Sequence, residues 1–166
     1  MTLTFKPIHP DDPEICELFK SLMRRYIAEI SAHLAFSPSN DLLERWISSI
    51  IRLQGEKDRI LDLCYADGVA VGFLYGKVDK ETDVGCVRDN WGYVMEFYVK
   101  PDYRRKGIGS KMFDRMREWY GKRGVLGYYL TADPINGELF WEALGFEKTR
   151  EIMPTNNMII FERTEL

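Results

Sequence analysis

The sequence predicts an α/β (α+β) fold with a mixed sheet, because helix-like and strand-like segments interleave along the chain in no fixed order. Two long segments before Gly55 carry apolar residues at the three-to-four spacing of amphipathic helices. Most segments after Gly55 are shorter and rich in β-branched and aromatic residues, which is typical of strands.

The first elements are a short strand and a long helix. Residues 3–5 predict the strand. Asp11, Asp12 and Pro13 predict the start of the helix, because an acidic side chain caps the first turn and proline is tolerated there. Helical spacing then continues to about Leu34. The apolar residues at this spacing are Ile15, Leu18, Phe19, Leu22, Tyr26 and Ile30.

A second helix is expected after the break at residues 37–39, a Ser-Pro-Ser sequence. Asp41 is the predicted N-cap. The apolar residues on one side of this helix are Leu42, Leu43, Trp46, Ile47, Ile50 and Ile51. The first third of the chain is therefore predicted to be largely helical.

Asp67-Gly68 predicts a β-hairpin between strands at residues 60–65 and 69–78, because this dipeptide suits a two-residue hairpin turn. A polar loop over 79–90 follows. The next strand, at 91–99, ends before Pro101, since proline cannot donate to a strand ladder. Later strands are predicted at 125–131, 146–149 and 158–161, and later helices at 108–120 and 137–144.

Composition predicts a single domain over residues 1–166, with 45 % hydrophobic residues to build a core. The formal net charge of −3 argues against nucleic acid as the main partner, since phosphate backbones select basic surfaces. Three widely spaced cysteines without a CxxC pair favour a reducing compartment. With no apolar signal core and no membrane-length apolar run, we expect a cytoplasmic protein without membrane contact.

A basic, glycine-containing loop separates the strand at 91–99 from the helix after it. The first turn of a helix has unpaired N–H groups and partial positive charge, which attract anions. Gly107 and Gly109 let an anion approach the main chain closely. The cations are Arg104, Arg105 and Lys106. The same residues also fit a turn with a solvated face, but the strand–loop–helix order favours a phosphate site. Neither a Rossmann nor a P-loop pattern is present.

The run Arg104-Arg105-Lys106-Gly107-Ile108-Gly109 after Val99-Lys100-Pro101 matches the R/Q-x-x-G-x-G/A signature of the GNAT superfamily, which the chain resembles. Downstream, Asn136-Gly137 and a short helix lead to Leu144-Gly145-Phe146, a second feature of that family. The resemblance implies a single GNAT domain whose mixed, mostly antiparallel central sheet is flanked by helices.

The resemblance also implies acetyl-CoA as the acyl donor, held by a strand backbone and by the basic loop. The implied cofactor-binding residues are Phe97, Tyr98, Val99, Arg104, Arg105, Lys106, Gly107, Ile108, Gly109, Ser110, Asn136 and Trp141. Asn136 has a second interpretation as an ordinary turn residue. No group of residues has metal-ligand spacing, so we expect no metal.

Trp141 departs from the family pattern, in which many members have a tyrosine that protonates the leaving thiolate. Indole is a donor but no practical acid. Tyr128, Tyr129 or Tyr98 could replace that tyrosine, and Tyr98 is our catalytic candidate. The low pKa of the CoA thiol could also make an acid dispensable.

Glu96 is the candidate general base. It lies mid-strand between Val94 and Tyr98, beside the expected thioester position, where partial burial would raise its pKa. A structural ion pair with a neighbouring cation is the alternative. The acids that would favour a cationic substrate, or serve only solubility, are Glu29, Asp41, Glu44, Glu81 and Asp83.

The favoured function is N-acetyl transfer to a primary amine of a small molecule or a protein. A non-catalytic acyl-CoA-binding sensor or scaffold is the alternative, kept open by the missing tyrosine. A nucleotide-binding protein that uses the same loop is a weaker one. A homodimer is compatible with the sequence.

Overall fold

Seven strands, four α-helices and one short 3₁₀ helix are present in the computed structural model, which describes residues 1–56 and 58–165. The chain forms two compact units. One holds residues 1–75 and 96–113, and the other holds residues 76–95 and 114–165. The prediction of a single domain over residues 1–166 stays a prediction.

The strands form one sheet in the order β1-β2-β3-β4-β5-β7-β6. Antiparallel pairs join β1 to β2, β5 to β7 and β6 to β7, whereas β4 and β5 are parallel. The strands are β1 Leu3–Pro7, β2 Arg59–Ala66, β3 Val69–Val78, β4 Gly92–Val99, β5 Gly127–Thr131, β6 Glu147–Ile152 and β7 Ile159–Thr164. A mixed, mostly antiparallel sheet is therefore confirmed.

Helix α1 spans Pro13–Ser31 and begins as predicted. The side chain of Asp12 accepts a hydrogen bond from the Ile15 N–H at 3.2 Å, and proline occupies the first turn. The helix ends at Ser31 rather than near Leu34. Its buried residues are Cys16, Phe19, Leu22, Met23 and Ile27.

Helix α2 spans Asn40–Leu53 and is capped by Ser39, so the prediction of Asp41 as its cap is wrong. The Ser39 hydroxyl accepts from the Leu42 N–H at 3.2 Å, and Asp41 lies in the first helical turn. Leu42 is half-exposed although it was placed on the apolar side. The observed cap thus lies two residues before the predicted one.

The predicted Asp67-Gly68 hairpin joins β2 to β3, with both turn residues at positive φ. The strands predicted at 146–149 and 158–161 are confirmed but extend further, as β6 and β7. The later helices are α3, Ile108–Gly121, and α4, Glu138–Ala143, and the 3₁₀ helix is Pro101–Tyr103. Across the described part of the chain, no helix is long and apolar enough to cross a membrane.

Candidate active site

Glu96 lies in the second half of β4 and is half-buried. Desolvation raises the pKa of its carboxyl to about 7, and a hydrogen bond from the Tyr26 hydroxyl opposes that rise. A carboxyl with this pKa is ionised in roughly half of the molecules at neutral pH. It can therefore exchange a proton with an amine under physiological conditions.

Tyr98, the second catalytic candidate, is 4 % exposed. Its ring packs against Tyr26 and Phe73, with centroids 5.6 and 5.8 Å away. Burial and the nearby Glu29 raise the pKa of its hydroxyl, so Tyr98 stays protonated at neutral pH. It can donate a hydrogen bond, although its raised pKa makes it a weaker acid than an ordinary tyrosine.

Tyr75 on β3 also lies close enough to Glu96 for the charge of the carboxylate to raise the pKa of the Tyr75 hydroxyl. Its hydroxyl accepts a hydrogen bond from Arg59 Nη1 at 2.5 Å. Burial raises the pKa of Tyr75, which keeps the hydroxyl neutral. The base candidate therefore has a neutral phenol near it on β3.

The backbone of β4 beyond Glu96 is tightly placed against β3. A Cβ on Gly72 would lie 2.3 Å from the Tyr98 carbonyl oxygen, so only glycine fits at this position. The Lys100 N–H donates to the Val71 oxygen at 2.8 Å. The parallel register of β4 with β5 is Gly92 with Tyr128 and Tyr93 with Tyr129, and β4 continues from there to Val99.

Arg104, the first residue of the basic signature, is held by contacts within the fold. Its guanidinium donates to both carboxylate oxygens of Glu29, at 2.6 and 2.8 Å, and its Nε donates to the Val99 oxygen at 2.8 Å. The guanidinium also lies 5.6 Å from the centre of the Tyr98 ring. Arg104 thus fixes the start of the loop, and its charge is matched by Glu29.

The rest of the loop fits an anion. Arg105 and Gly107 have positive φ values of 63° and 80°. No atom lies within 4 Å of a Cβ built on Gly107, so the main chain borders open space there. Arg105 and Lys106 are exposed, and Lys106 Nζ donates to the backbone carbonyl oxygen of Asp102 at 2.9 Å.

Helix α3 begins at Ile108, whose side chain is buried. The N–H groups of its first turn, including those of Gly109 and Ser110, lack intrahelical partners.

Asn136 and Trp141 belong to the other compact unit. The exposed Asn136 donates to Asp133 Oδ2 at 3.2 Å and shapes the turn before α4. Trp141 is 5 % exposed and packs on Phe140 and Phe146, with ring centroids 4.8 and 5.2 Å away. Their assignment to the cofactor stays a prediction.

Tyr128 and Tyr129, the other candidate acids, are both buried in the second unit. The Tyr129 hydroxyl donates to Asp79 Oδ2 at 2.6 Å, and burial raises its pKa. Burial, together with a hydrogen bond to Glu165, raises the pKa of Tyr128 to about 12. Both hydroxyls therefore remain protonated and serve partners within the fold.

Tyr26, Glu29 and Tyr75 contact the candidate residues, although their sequence positions predict no site role for Tyr26 or Tyr75. The sequence predicts Tyr26 as part of the apolar face of α1, and Glu29 as one of several acids that could favour a cationic substrate. For Tyr26 and Glu29 the sequence signal is their spacing on α1, because residues three apart share a helix face. Two further acids of that group are also paired, Glu44 with Arg24 and Asp83 with Lys77.

The chain is similar to known acetyltransferases. The family model of the acetyltransferase (GNAT) family matches residues 17–146. The aminoglycoside N(6′)-acetyltransferase type 1 of Salmonella typhimurium is 25 % identical over 93 residues, which are 55 % of this chain and 64 % of that protein. The corresponding protein of Stenotrophomonas maltophilia is 23 % identical over 117 residues, which are 69 % and 74 % of the two chains. The chain thus spans just under two thirds of the length of the Salmonella relative.

Solved structures share the fold over nearly the whole chain. The PaiA N-acetyltransferase of Thermoplasma acidophilum, in complex with coenzyme A, superposes with a TM-score of 0.71 at 20 % identity, covering 99 % of this chain and all of that one. The aminoglycoside N-acetyltransferase AAC(6′)-Iy, in complex with a CoA–acetylneamine bisubstrate analogue, gives a TM-score of 0.68 at 18 % identity, with 92 % and 95 % covered. The fold that the sequence resemblance implied is confirmed.

Proposed function

Because the chain belongs to the acetyltransferase (GNAT) family, we propose that it transfers the acetyl group of acetyl-CoA directly to a primary amine of a small molecule. The observation that carries the proposal is Glu96, a desolvated carboxyl with a pKa of about 7 on the strand that leads into the anion loop. A carboxyl with this pKa is suited to accept the proton that an ammonium must lose before its nitrogen can attack.

The acyl donor fits the residues of the first unit. The open main chain at Gly107 and the exposed cations Arg105 and Lys106 would hold the pyrophosphate. The backbone of Phe97, Tyr98 and Val99 would align the pantetheine in the manner of an added strand. Acetyl-CoA supplies an acetyl group that is already activated as a thioester.

Glu96 removes the main barrier on the acceptor side. An amine with a pKa of ~10.4 is neutral in only about one molecule in a few thousand at pH 7, and neutralising it costs roughly 4–5 kcal/mol. An ionised Glu96 accepts this proton. Tyr98, whose hydroxyl stays protonated, is the proposed hydrogen-bond donor to the leaving sulfur.

The acceptor class rests on the relatives. Two matched proteins are aminoglycoside N(6′)-acetyltransferases, and one solved relative was captured with an acetylneamine conjugate. This supports a small, amine-bearing acceptor over a protein. We propose polycationic amines, including aminoglycosides, as the first acceptors to test.

The deciding experiment follows free thiol after incubation with acetyl-CoA and a panel of amines: aminoglycosides, polyamines and peptides with free N-termini. We expect amine-dependent thiol release with at least one small amine, and an acetylated product of matching mass. Tight CoA binding without thiol release for any amine would contradict catalysis and favour an acyl-CoA sensor. Equal binding of ATP and CoA would instead favour a nucleotide-binding protein.

The role of the β4 backbone is tested with a pair of glycine variants. Gly72→Ala places a Cβ 2.3 Å from the Tyr98 oxygen, so β4 must shift where the pantetheine would align. We expect CoA binding, measured by titration calorimetry, to weaken about tenfold, which corresponds to about 1.4 kcal/mol of binding free energy. Gly55→Ala is the matched control, because nothing lies within 4 Å of its Cβ. Equal affinities of the two variants would remove this role.

A further inference from the structure

Two side chains of α1 contact the segment that carries the base and the start of the anion loop. The Tyr26 hydroxyl donates to the Glu96 carboxylate, and the Glu29 carboxylate accepts two hydrogen bonds from Arg104 at 2.6 and 2.8 Å. Tyr26 and Glu29 are three residues apart and therefore share one face of the helix. This face of α1 is fixed to the segment at two points.

The Tyr26 ring is held in place as well. It packs against the Phe73 ring, edge to face, with centroids 5.8 Å apart, and against the Tyr98 ring at 5.6 Å. The Phe19 ring contacts Phe73 from the same helix at 5.1 Å. These contacts limit the positions that the Tyr26 hydroxyl can adopt, so its hydrogen bond to Glu96 is preorganised.

We propose that Tyr26 is a positioning residue that keeps the Glu96 carboxylate ionised and oriented to accept the proton of the acceptor amine, an inference that rests on the function proposed above. A donor to the charged form of a desolvated carboxyl stabilises that form. Without the hydroxyl, Glu96 would be protonated in most molecules at neutral pH, so a smaller fraction of the protein could act as a base.

The groups near Glu96 support this assignment. From α1 it faces Tyr26, and from β3 it faces Tyr75, whose hydroxyl accepts from Arg59 at 2.5 Å. The cation Arg104, which lies over the Tyr98 ring, is paired with Glu29. Within residues 1–56 and 58–165, Tyr26 is the one group whose hydrogen bond lowers the pKa of Glu96.

The test is Tyr26→Phe, which removes the hydroxyl and keeps the ring. We expect the acidic limb of kcat/KM against pH to move up by about one pH unit, as loss of a hydrogen bond to a charged group implies. The rate at pH 6.5 should fall about tenfold and recover by pH 9, with an unchanged KM for acetyl-CoA. Tyr65→Phe is the matched control, since it removes a hydroxyl of the same unit that has no part in the site. A limb that does not move overturns the proposal.

A second readout needs no acceptor. The titration of Glu96 is followed by ¹³C NMR of carboxyl-labelled glutamate, with Glu96→Gln to assign the signal. We expect a higher midpoint in Tyr26→Phe, and an equal midpoint in the two proteins overturns the role of Tyr26. If no amine is turned over but the midpoint still rises, the proposed function fails while the control of Glu96 ionisation by Tyr26 stands.

The proposal is also tested without removing the side chain. Incorporation of 3-fluorotyrosine at position 26 makes the hydroxyl a stronger donor at nearly constant volume. We expect the Glu96 midpoint to move down, opposite to Tyr26→Phe. A shift in the same direction as Tyr26→Phe, or none, contradicts the proposal even if Tyr26→Phe folds poorly.

Discussion

Glu96 and Asp79 are both carboxylates removed from solvent, yet their pKa values move in opposite directions. Asp79 is 1 % exposed, and burial alone would raise its pKa. Three donors and one cation outweigh that effect and hold the pKa below its ordinary value. They are the Tyr129 hydroxyl at 2.6 Å, the Arg88 and Val87 N–H groups at 3.1 and 2.9 Å, and Lys77 Nζ at 3.3 Å.

Glu96 receives far less compensation. Desolvation dominates, one hydrogen bond from Tyr26 opposes it, and the pKa rises to about 7. The donor set, more than burial itself, therefore decides what a carboxylate can do. Asp79 is stabilised as an anion and organises the loop after β3, whereas Glu96 is balanced between its two protonation states.

The largest expected effect is on catalysis. Glu96→Gln should lower kcat/KM at pH 7 by about 10²–10⁴, because general base catalysis is lost. Partial recovery is expected at high pH, where more of the amine is already neutral. The measurement is initial thiol release with the best amine of the panel. A loss of kcat/KM below threefold would mean that Glu96, like Asp79, has a structural role and is not the base.

The second effect is on stability. Asp79→Asn should reduce the free energy of unfolding by about 3 kcal/mol at pH 7, because a buried charged acceptor is lost to its three donors, while Lys77 keeps Asp83 as a counter-charge. Urea unfolding measures it, with Asp83→Asn as the comparison, since Asp83 bonds the same lysine from a more exposed position and should contribute less than about 1 kcal/mol. The depressed pKa of Asp79 gives stability that is lost as the pH falls through its folded value, so the two proteins should converge in acid. A pH-independent difference would contradict the electrostatic account.

The third effect is a gain in stability, opposite in sign to the loss expected for Asp79→Asn. The raised pKa of Glu96 means that its ionisation costs stability as the pH rises from the ordinary value towards about 7. Glu96→Gln should therefore be more stable than the natural protein at pH 8, by about 2–3 kcal/mol, and similar to it at pH 4. Urea unfolding at both pH values checks this. A variant that is less stable at pH 8 would mean that the Glu96 charge is well compensated.

The smallest effect is that of one donor to Asp79. Tyr129→Phe should lower stability by about 1–2 kcal/mol, because the hydroxyl is lost while the ring stack on Tyr93, with centroids 4.6 Å apart, is retained. Thermal and urea unfolding at pH 7 measure the loss. An unchanged stability would show that the other partners of Asp79 suffice.

Local features of this molecule could be predicted from the sequence. The end of β4 before Pro101, the basic loop and the start of α3 at Ile108 each depend on neighbouring residues, so the motif located them. The Asp67-Gly68 hairpin is local in the same sense. The strand position of Glu96 and its raised pKa also agree with the sequence expectation, whereas its role as the base stays a prediction.

Contacts between distant residues could not be predicted. Arg104 and Glu29 are 75 positions apart, and a basic motif gives no indication that its first cation is matched by a carboxylate on α1. Periodicity identified Tyr26 only as a member of an apolar face, since it does not report where a hydroxyl points. Asp79 was placed at the start of a polar loop, and its burial depends on Tyr129, far along the chain.

The most direct test of the account is the pH dependence of kcat/KM for the natural protein and Glu96→Gln, measured between pH 5 and pH 10 with saturating acetyl-CoA. We expect an acidic limb with a midpoint near 7 in the natural protein, and in the variant only a rise at higher pH, where the amine itself loses its proton. An acidic limb that persists unchanged in Glu96→Gln would contradict Glu96 as the base.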